Sequence, residues 1–345
     1  MPGITTRTRA ALLSLLLLLP FVADAQSSQL PNVHILATGG TIASSSSGLV
    51  TAEELIEAVP GIERLARIVV EDFVSIGSSR MTPEIQFSLA QRINELFADD
   101  KLAGVVITHG TDSLEETAFF VDLLVADNRP VVFTAAQRPP SRVDTDGPRN
   151  LLNAILIAAN PDSKNRGTLI TLNDDIHAAR YARKTHSTAV EAFQSTGAGK
   201  MGAIDQGRIY YAWTPSQRVF LSPEAIEPRV DLISLVAGSD GHLVRAAIES
   251  GARGIVMEVF GRGNVPPEVT EALQEANDAN IVIVFTSRTG AGRVVLYPEF
   301  DHLQIVKGEG LDGLKARMLL IAALGQTTDP AKIQSYFTLL SGVTQ

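Results

Sequence analysis

The chain has 345 residues, of which 45% are hydrophobic and 19% charged, enough to bury a core in about two domains. Its formal net charge of −9 lacks the basic footprint of a nucleic-acid or anionic-membrane binder. With no cysteine, disulfides, thiolate metal sites and thiol catalysis are excluded.

The N-terminus reads as an export signal. Arg7 and Arg9 precede an apolar run from Ala10 to Leu19, closed by Pro20. Ala23-Asp24-Ala25 fits the small-x-small cleavage rule, which places the cut after Ala25. The run is shorter than the ~18 apolar residues a membrane span needs, and no later stretch reaches that length. A soluble mature protein, periplasmic or secreted, is expected.

Beyond it, β-rich runs alternate with helical patterns. Strands are expected over Val33–Thr38, Val105–Thr108, Val131–Ala135, Leu169–Asn173, Leu232–Ala237, Ile255–Phe260 and Ile281–Thr286. Helices are expected over Thr51–Ala58, Pro83–Phe97, Leu114–Ala126, Leu151–Ala159, Leu243–Ser250 and Pro267–Ala279. Alternation with nearly continuous apolar strands implies an α/β fold whose mainly parallel sheets are covered by helices on both faces. Tyr210–Val230, with Pro215, Pro223 and Pro228, breaks the rhythm and reads as the connection. The division expected is 30–214 for an N-terminal α/β domain, 215–230 for a linker and 231–345 for a C-terminal α/β domain. Ligands of open α/β sheets bind beyond the carboxyl ends of the strands.

Two strand ends carry chemistry. The first runs into Thr38-Gly39-Gly40-Thr41-Ile42-Ala43, where adjacent glycines permit a sharp turn and close approach. The Thr41 hydroxyl is a candidate nucleophile there, given a neighbour to take its proton, although a capping threonine in a Gly-Gly turn would look the same. The second is Thr108-His109-Gly110-Thr111-Asp112-Ser113-Leu114-Glu115, in which Asp112-x-x-Glu115 has the form of a capping box. Side by side in a parallel sheet, the two ends would gather two threonines and a carboxylate.

Gly197-Ala198-Gly199-Lys200 fails the phosphate-loop pattern, because Gln194 and Met201 occupy the defining positions. Gly290-Ala291-Gly292 lacks the third glycine of a dinucleotide fingerprint, and no Gly-x-Ser-x-Gly elbow occurs. The six histidines are dispersed, without metal-site spacing. His109 reads as structural rather than as a base.

The two strand-end motifs resemble the signatures of the bacterial L-asparaginase/glutaminase-asparaginase family. Ile76-Gly77-Ser78-Ser79-Arg80-Met81, Arg138-Pro139 with Asp146-Gly147-Pro148, Asn173-Asp174-Asp175 and Lys184-Thr185 fit it too, so the resemblance covers nearly the whole mature chain. It implies hydrolysis of the side-chain amide of L-asparagine, and possibly of L-glutamine, through an acyl-enzyme on threonine. Neither metal nor organic cofactor is implied. Thr41 corresponds to the nucleophile, and Thr111, Asp112 and Lys184 to a second catalytic constellation. Ser78 corresponds to the residue holding the substrate α-carboxylate, Asp112 to the one binding the α-ammonium, and Ala136 to a backbone contact near the scissile amide. Ser79 stands where the family has glutamine, and Asn264 matches a residue lent by a neighbouring subunit. A homotetramer, built as a dimer of dimers, is implied.

The chain departs from the pattern at the loop after the first motif. That loop is short, and its tyrosine is missing, since the tyrosines are Tyr181, Tyr210, Tyr211, Tyr297 and Tyr336. The position of the family's partner-chain glutamate falls on Tyr297, which makes its phenol a candidate substitute. The alternative functions are an exported amide- or amino-acid-binding protein, and a weakly active member acting on another amide.

Overall fold

The computed structural model describes residues 30–40, 56–57 and 59–341, with the backbone of 44–45 and 48–49. The export signal and Thr41 lie outside the described residues. So does most of the helix expected over Thr51–Ala58, of which 56–57 are described and helical.

The larger sheet is built around β1 (Asn32–Ala37) and β5 (Leu102–Thr108), which pair in parallel. Beyond them lie β4 (Arg67–Asp72) on one side, and β6 (Val131–Thr134) and β7 (Thr168–Leu172) on the other, all parallel. Between β1 and β4 in the chain, β2 (Ser44–Ser45) and β3 (Gly48–Leu49) form a small antiparallel pair. The strand of Arg67–Asp72 carries an apolar run of only three residues, Ile68–Val70, and as an edge strand it mixes partly buried with exposed residues, so it lies outside the strands expected from the sequence.

After β7 the sheet changes direction. β8 (Asp175–Ala178), β11 (Gly202–Asp205) and β12 (Arg208–Tyr211) extend it antiparallel. A separate hairpin pairs β9 (Ala182–Lys184) with β10 (Phe193–Ser195). Tyr210 and Tyr211 are therefore paired in β12 and do not belong to an irregular connection. Val219 and Leu221 of the stretch that follows are buried in the core, and Leu221 N donates to Leu123 O.

The second sheet is wholly parallel, in the order β13 (Val230–Ser234), β14 (Gly254–Val259), β15 (Val282–Ser287) and β16 (Ile305–Lys307). Helices cover both sheets: α1 (Pro83–Leu96), α2 (Leu114–Leu124), α3 (Gly147–Ala159), α4 (His242–Glu249), α5 (Pro267–Asp278), α6 (Gly313–Leu324) and α7 (Pro330–Ser341). α1 begins as its sequence dictates, with Thr82 Oγ1 accepting from Ile85 N and Pro83 in the first turn.

α2 and α6 are buried nearly all round, the charged Glu115 and Lys315 included. Each faces a sheet on one side and the other helix across the seam, so one continuous core contains Phe119, Phe120 and Phe133 together with Val256, Leu319 and Leu320. That seam sets the relation between β9 and the C-terminal helices on which the site depends.

Candidate active site

The first-motif backbone is shaped by steric necessity. Thr38 N and Oγ1 both donate to Thr108 O, at 3.0 and 2.9 Å, tying the ends of β1 and β5 together. Gly39 and Gly40 then adopt φ of +93° and +86°. A Cβ on Gly40 would stand 2.4 Å from Cα of Gly110, so the two Gly-Thr turns touch backbone to backbone. The juxtaposition expected of the two strand ends is thus present up to Gly40, the last described residue before Thr41.

The second turn delivers Thr111 and Asp112 to a lysine. Lys184 Nζ, at the end of β9, donates to Thr111 Oγ1 at 2.8 Å and to Asp112 Oδ1 at 2.9 Å. Thr111 is buried, whereas the Asp112 side chain is 63% exposed and opens to solvent. An ammonium this close stabilises negative charge on the threonine oxygen. The turn also leads directly into the N-terminus of α2, whose dipole favours the same sign of charge.

Asp112-Ser113-Leu114-Glu115 is not a capping box. Ser113 is the N-cap of α2, and its hydroxyl donates to Ser78 O at 2.7 Å instead of capping. Asp112 is committed to Lys184, and Glu115 turns inward. For Asp112 and Glu115 the tertiary partners Lys184 and Lys315 offer charge, which outweighs a local cap.

Ser78 is buried at the start of a short 3₁₀ turn, and its Oγ accepts from Asp112 N at 3.1 Å. Ser79, next to it, is exposed. Ala136 is fully buried just after β6, at the same sheet end as Thr108, where Gln137 N and Arg138 N donate to the Asp146 carboxylate.

Asn264 and Tyr297 sit elsewhere. Asn264 is exposed in a loop after β14, closed by paired backbone hydrogen bonds with Phe260. A Cβ on Gly263 would meet the Tyr297 ring at 3.6 Å, so the two candidates share one surface. Among the described residues neither bonds to the Lys184 centre of its own chain.

The support beneath Lys184 has no signature in the sequence. The Glu115 carboxylate stands beside the Lys184 backbone N–H, which favours its ionised form, and lies 3.6 Å from Lys315 Nζ, which is completely buried. Lys315 also donates to Asp312 Oδ2 at 3.0 Å, and Arg183 Nε stands 3.8 Å from the same oxygen. Burial pushes the Glu115 carboxyl above the usual carboxylate range, and Lys315 opposes that shift. Glu115 was visible in the motif, but its partner lies 200 positions away.

His109 is fully buried, with Nδ1 2.7 Å from Gly110 O. Burial lowers its pKa to about 4, so at neutral pH it is an uncharged strut of the Thr111 turn.

Comparison with known proteins fits this geometry. The family model described as "Asparaginase, N-terminal" matches residues 32–217, and "Glutaminase/Asparaginase C-terminal domain" matches 229–337. "L-asparaginase 2" of Bacillus subtilis is 38% identical over 92% of this chain and 89% of its own. "Probable L-asparaginase periplasmic" of Haemophilus influenzae is 38% identical over 92% of this chain and 95% of its own. A solved structure, "Probable Cytoplasmic L-asparaginase" from Campylobacter jejuni, superposes with a TM-score of 0.84 at 37% identity, covering 90% of this chain and 99% of its own. With both family models matched in order and relatives aligned nearly end to end, the chain belongs to the asparaginase/glutaminase-asparaginase family.

Proposed function

We propose that this chain hydrolyses the side-chain amide of L-asparagine, with L-glutamine as a second substrate, to the acid and ammonia. The observation that carries the reading is the Lys184 ammonium bridging Thr111 Oγ1 and Asp112 Oδ1 beside the Gly39-Gly40 turn. A fold-only relative would have no use for a lysine, a hydroxyl and a carboxylate held together at a strand end.

In this reading Thr41 Oγ attacks the amide carbon, and its proton passes to the departing nitrogen, which leaves as ammonia. Water then attacks the ester carbon, giving one hydrogen back to Thr41 and leaving the acid. Lys184 stabilises the charge that develops near Thr111. Backbone N–H groups at Thr111 and Ala136 receive the oxyanion, each such donor being worth about 3–4 kcal/mol. Ser78 and Ser79 take the substrate α-carboxylate, and the exposed Asp112 carboxylate takes the α-ammonium.

Asn264 and Tyr297 serve the site of a neighbouring subunit in a homotetramer arranged as a dimer of dimers. Their separation from the Lys184 centre of their own chain supports that assignment. The two catalytic parts divide near 214 and 231, and removal of residues 1–25 on export yields the mature protein. The amino-terminal composition supports export, and one similar relative is named periplasmic.

The test is ammonia release from L-Asn, D-Asn and L-Gln by mature protein and by Thr41→Ala. Release from L-Asn that disappears in the variant is expected. Binding of L-Asn without release, or equal release by Thr41→Ala, would overturn the reading.

A further inference from the structure

A cavity of about 250 Å³ lies away from the Lys184 centre, between the start of β7, the segment after β12 and the end of α7. None of Ser78, Thr111, Asp112, Ala136 or Lys184 lines it. Its walls hold Arg166, Arg180 and Arg218 with a single carboxylate, Asp122, and two aromatic rings, Tyr181 and Trp213.

The charges do not balance. Arg218 Nη2 pairs with Asp122 Oδ1 at 3.0 Å. Arg166 meets neutral acceptors, the carbonyls of Asp162 and Trp213 and the Thr214 hydroxyl, and stacks 3.6 Å over Tyr211. Arg180 donates to the Leu340 carbonyl and lies 4.9 Å over Tyr181. The buried Nε atoms of Arg180 and Arg218 have no hydrogen-bond partner among the described residues. Among the described residues, two guanidinium charges therefore line one small cavity with no carboxylate paired to either, an arrangement that an anion would stabilise.

We propose that this cavity binds a small organic carboxylate with a flat apolar body. The guanidinium forks match a carboxylate. Tyr181 and Trp213, packed edge to face with centroids 5.8 Å apart, give the body an aromatic wall. The volume falls below the roughly 300–1,000 Å³ of sites for drug-sized ligands, so the occupant is small. The site also has a short route to the catalytic lysine. Arg180 and Tyr181 lead directly into β9, which ends at Lys184, at most about 14 Å away along the chain. Occupancy is therefore felt as a change in the placement of Lys184, a consequence that rests on the function proposed above.

Trp213 is the only tryptophan of the chain, so its fluorescence reports on this wall alone. The mature protein is titrated with benzoate and, separately, with inorganic phosphate. Expected are a saturable fluorescence change with benzoate, weaker binding of phosphate, and no displacement of benzoate by L-asparagine. Arg166→Gln and Arg180→Gln, each verified as folded by circular dichroism, should weaken benzoate about ten- to a hundredfold. No saturable change, phosphate binding as tightly as benzoate, displacement by L-asparagine, or unaltered binding in both variants would overturn the site. These titrations need no turnover, so they stand or fall apart from the amidase reading. In the hydrolysis assay benzoate should alter kcat with little change in KM, and an unchanged kcat at saturating benzoate would overturn the link to Lys184.

Discussion

Glu115 of α2 and Lys315 of α6 face each other 3.6 Å apart in the interior, directly behind the strand that ends in Lys184. The pair joins the two helix-covered sheets across the seam where α2 packs on α6. Glu115 also stands beside the Lys184 backbone N–H, so one buried pair links the packing of the two helices to the strand that carries the Lys184 ammonium.

Lys315→Met should therefore destabilise the protein by about 3–5 kcal/mol, because Glu115 and Asp312 are left buried without their cation. Chemical denaturation measures the loss. Adding Glu115→Gln to Lys315→Met should recover part of it, and a fully additive double variant would mean the two residues do not interact.

Lys184→Met should lower kcat for L-asparagine by about a hundred- to ten-thousandfold, with a smaller effect on KM. Lys184→Arg should not restore the rate, since a planar guanidinium cannot keep both the 2.8 and 2.9 Å contacts of a compact ammonium. Steady-state ammonia release at several substrate concentrations separates the two constants.

Ser78→Ala removes the acceptor of the Asp112 N–H and the hydroxyl assigned to the α-carboxylate. KM should rise more than kcat falls. A stability loss of about 1–3 kcal/mol should accompany it if the Asp112 amide finds no other partner. Kinetics and urea melts of the same preparation test both parts.

Gly40→Ala should cost at least about 1–3 kcal/mol and abolish turnover, because the new Cβ meets Gly110 backbone at 2.4 Å and the φ of +86° is unfavourable for any other residue. Gly61→Ala is the control: its φ of +85° is similar, but nothing lies within 4 Å of the added atom. It should be milder, and equal losses in the two variants would show that contact with Gly110 does not matter.

Acid should weaken the fold through two buried histidines. Burial lowers the pKa of both His109 and His177 to about 4, whereas an unfolded histidine titrates near 6.5. Between those values the unfolded chain binds more protons, so the stability these residues contribute is complete above about pH 6.5 and is lost as pH falls toward 4. The loss is roughly 3 kcal/mol for each at the lower limit. Urea unfolding from pH 7.5 to 4.5 should show this slope, reduced in His109→Phe.

The sequence by itself determined the parallel α/β pattern and the two Gly-Thr strand ends. These signals are local: continuous apolar strands, glycines where the backbone must turn, and a helix starting just beyond. It also singled out Lys184 through its resemblance to a family, although nothing in Ala182-Arg183-Lys184 reveals where the ammonium points. The tertiary structure decided that Lys184 reaches Thr111 and Asp112, that Asp112 and Glu115 are not caps, and that Lys315 is wholly buried. It also folded Tyr210 and Tyr211 into an antiparallel extension of the sheet. Each of these depends on which distant charge or strand edge lies nearest. A buried lysine beside two carboxylates and a solvated surface lysine are written with the same letter, and only the packing of α2 against α6 tells them apart.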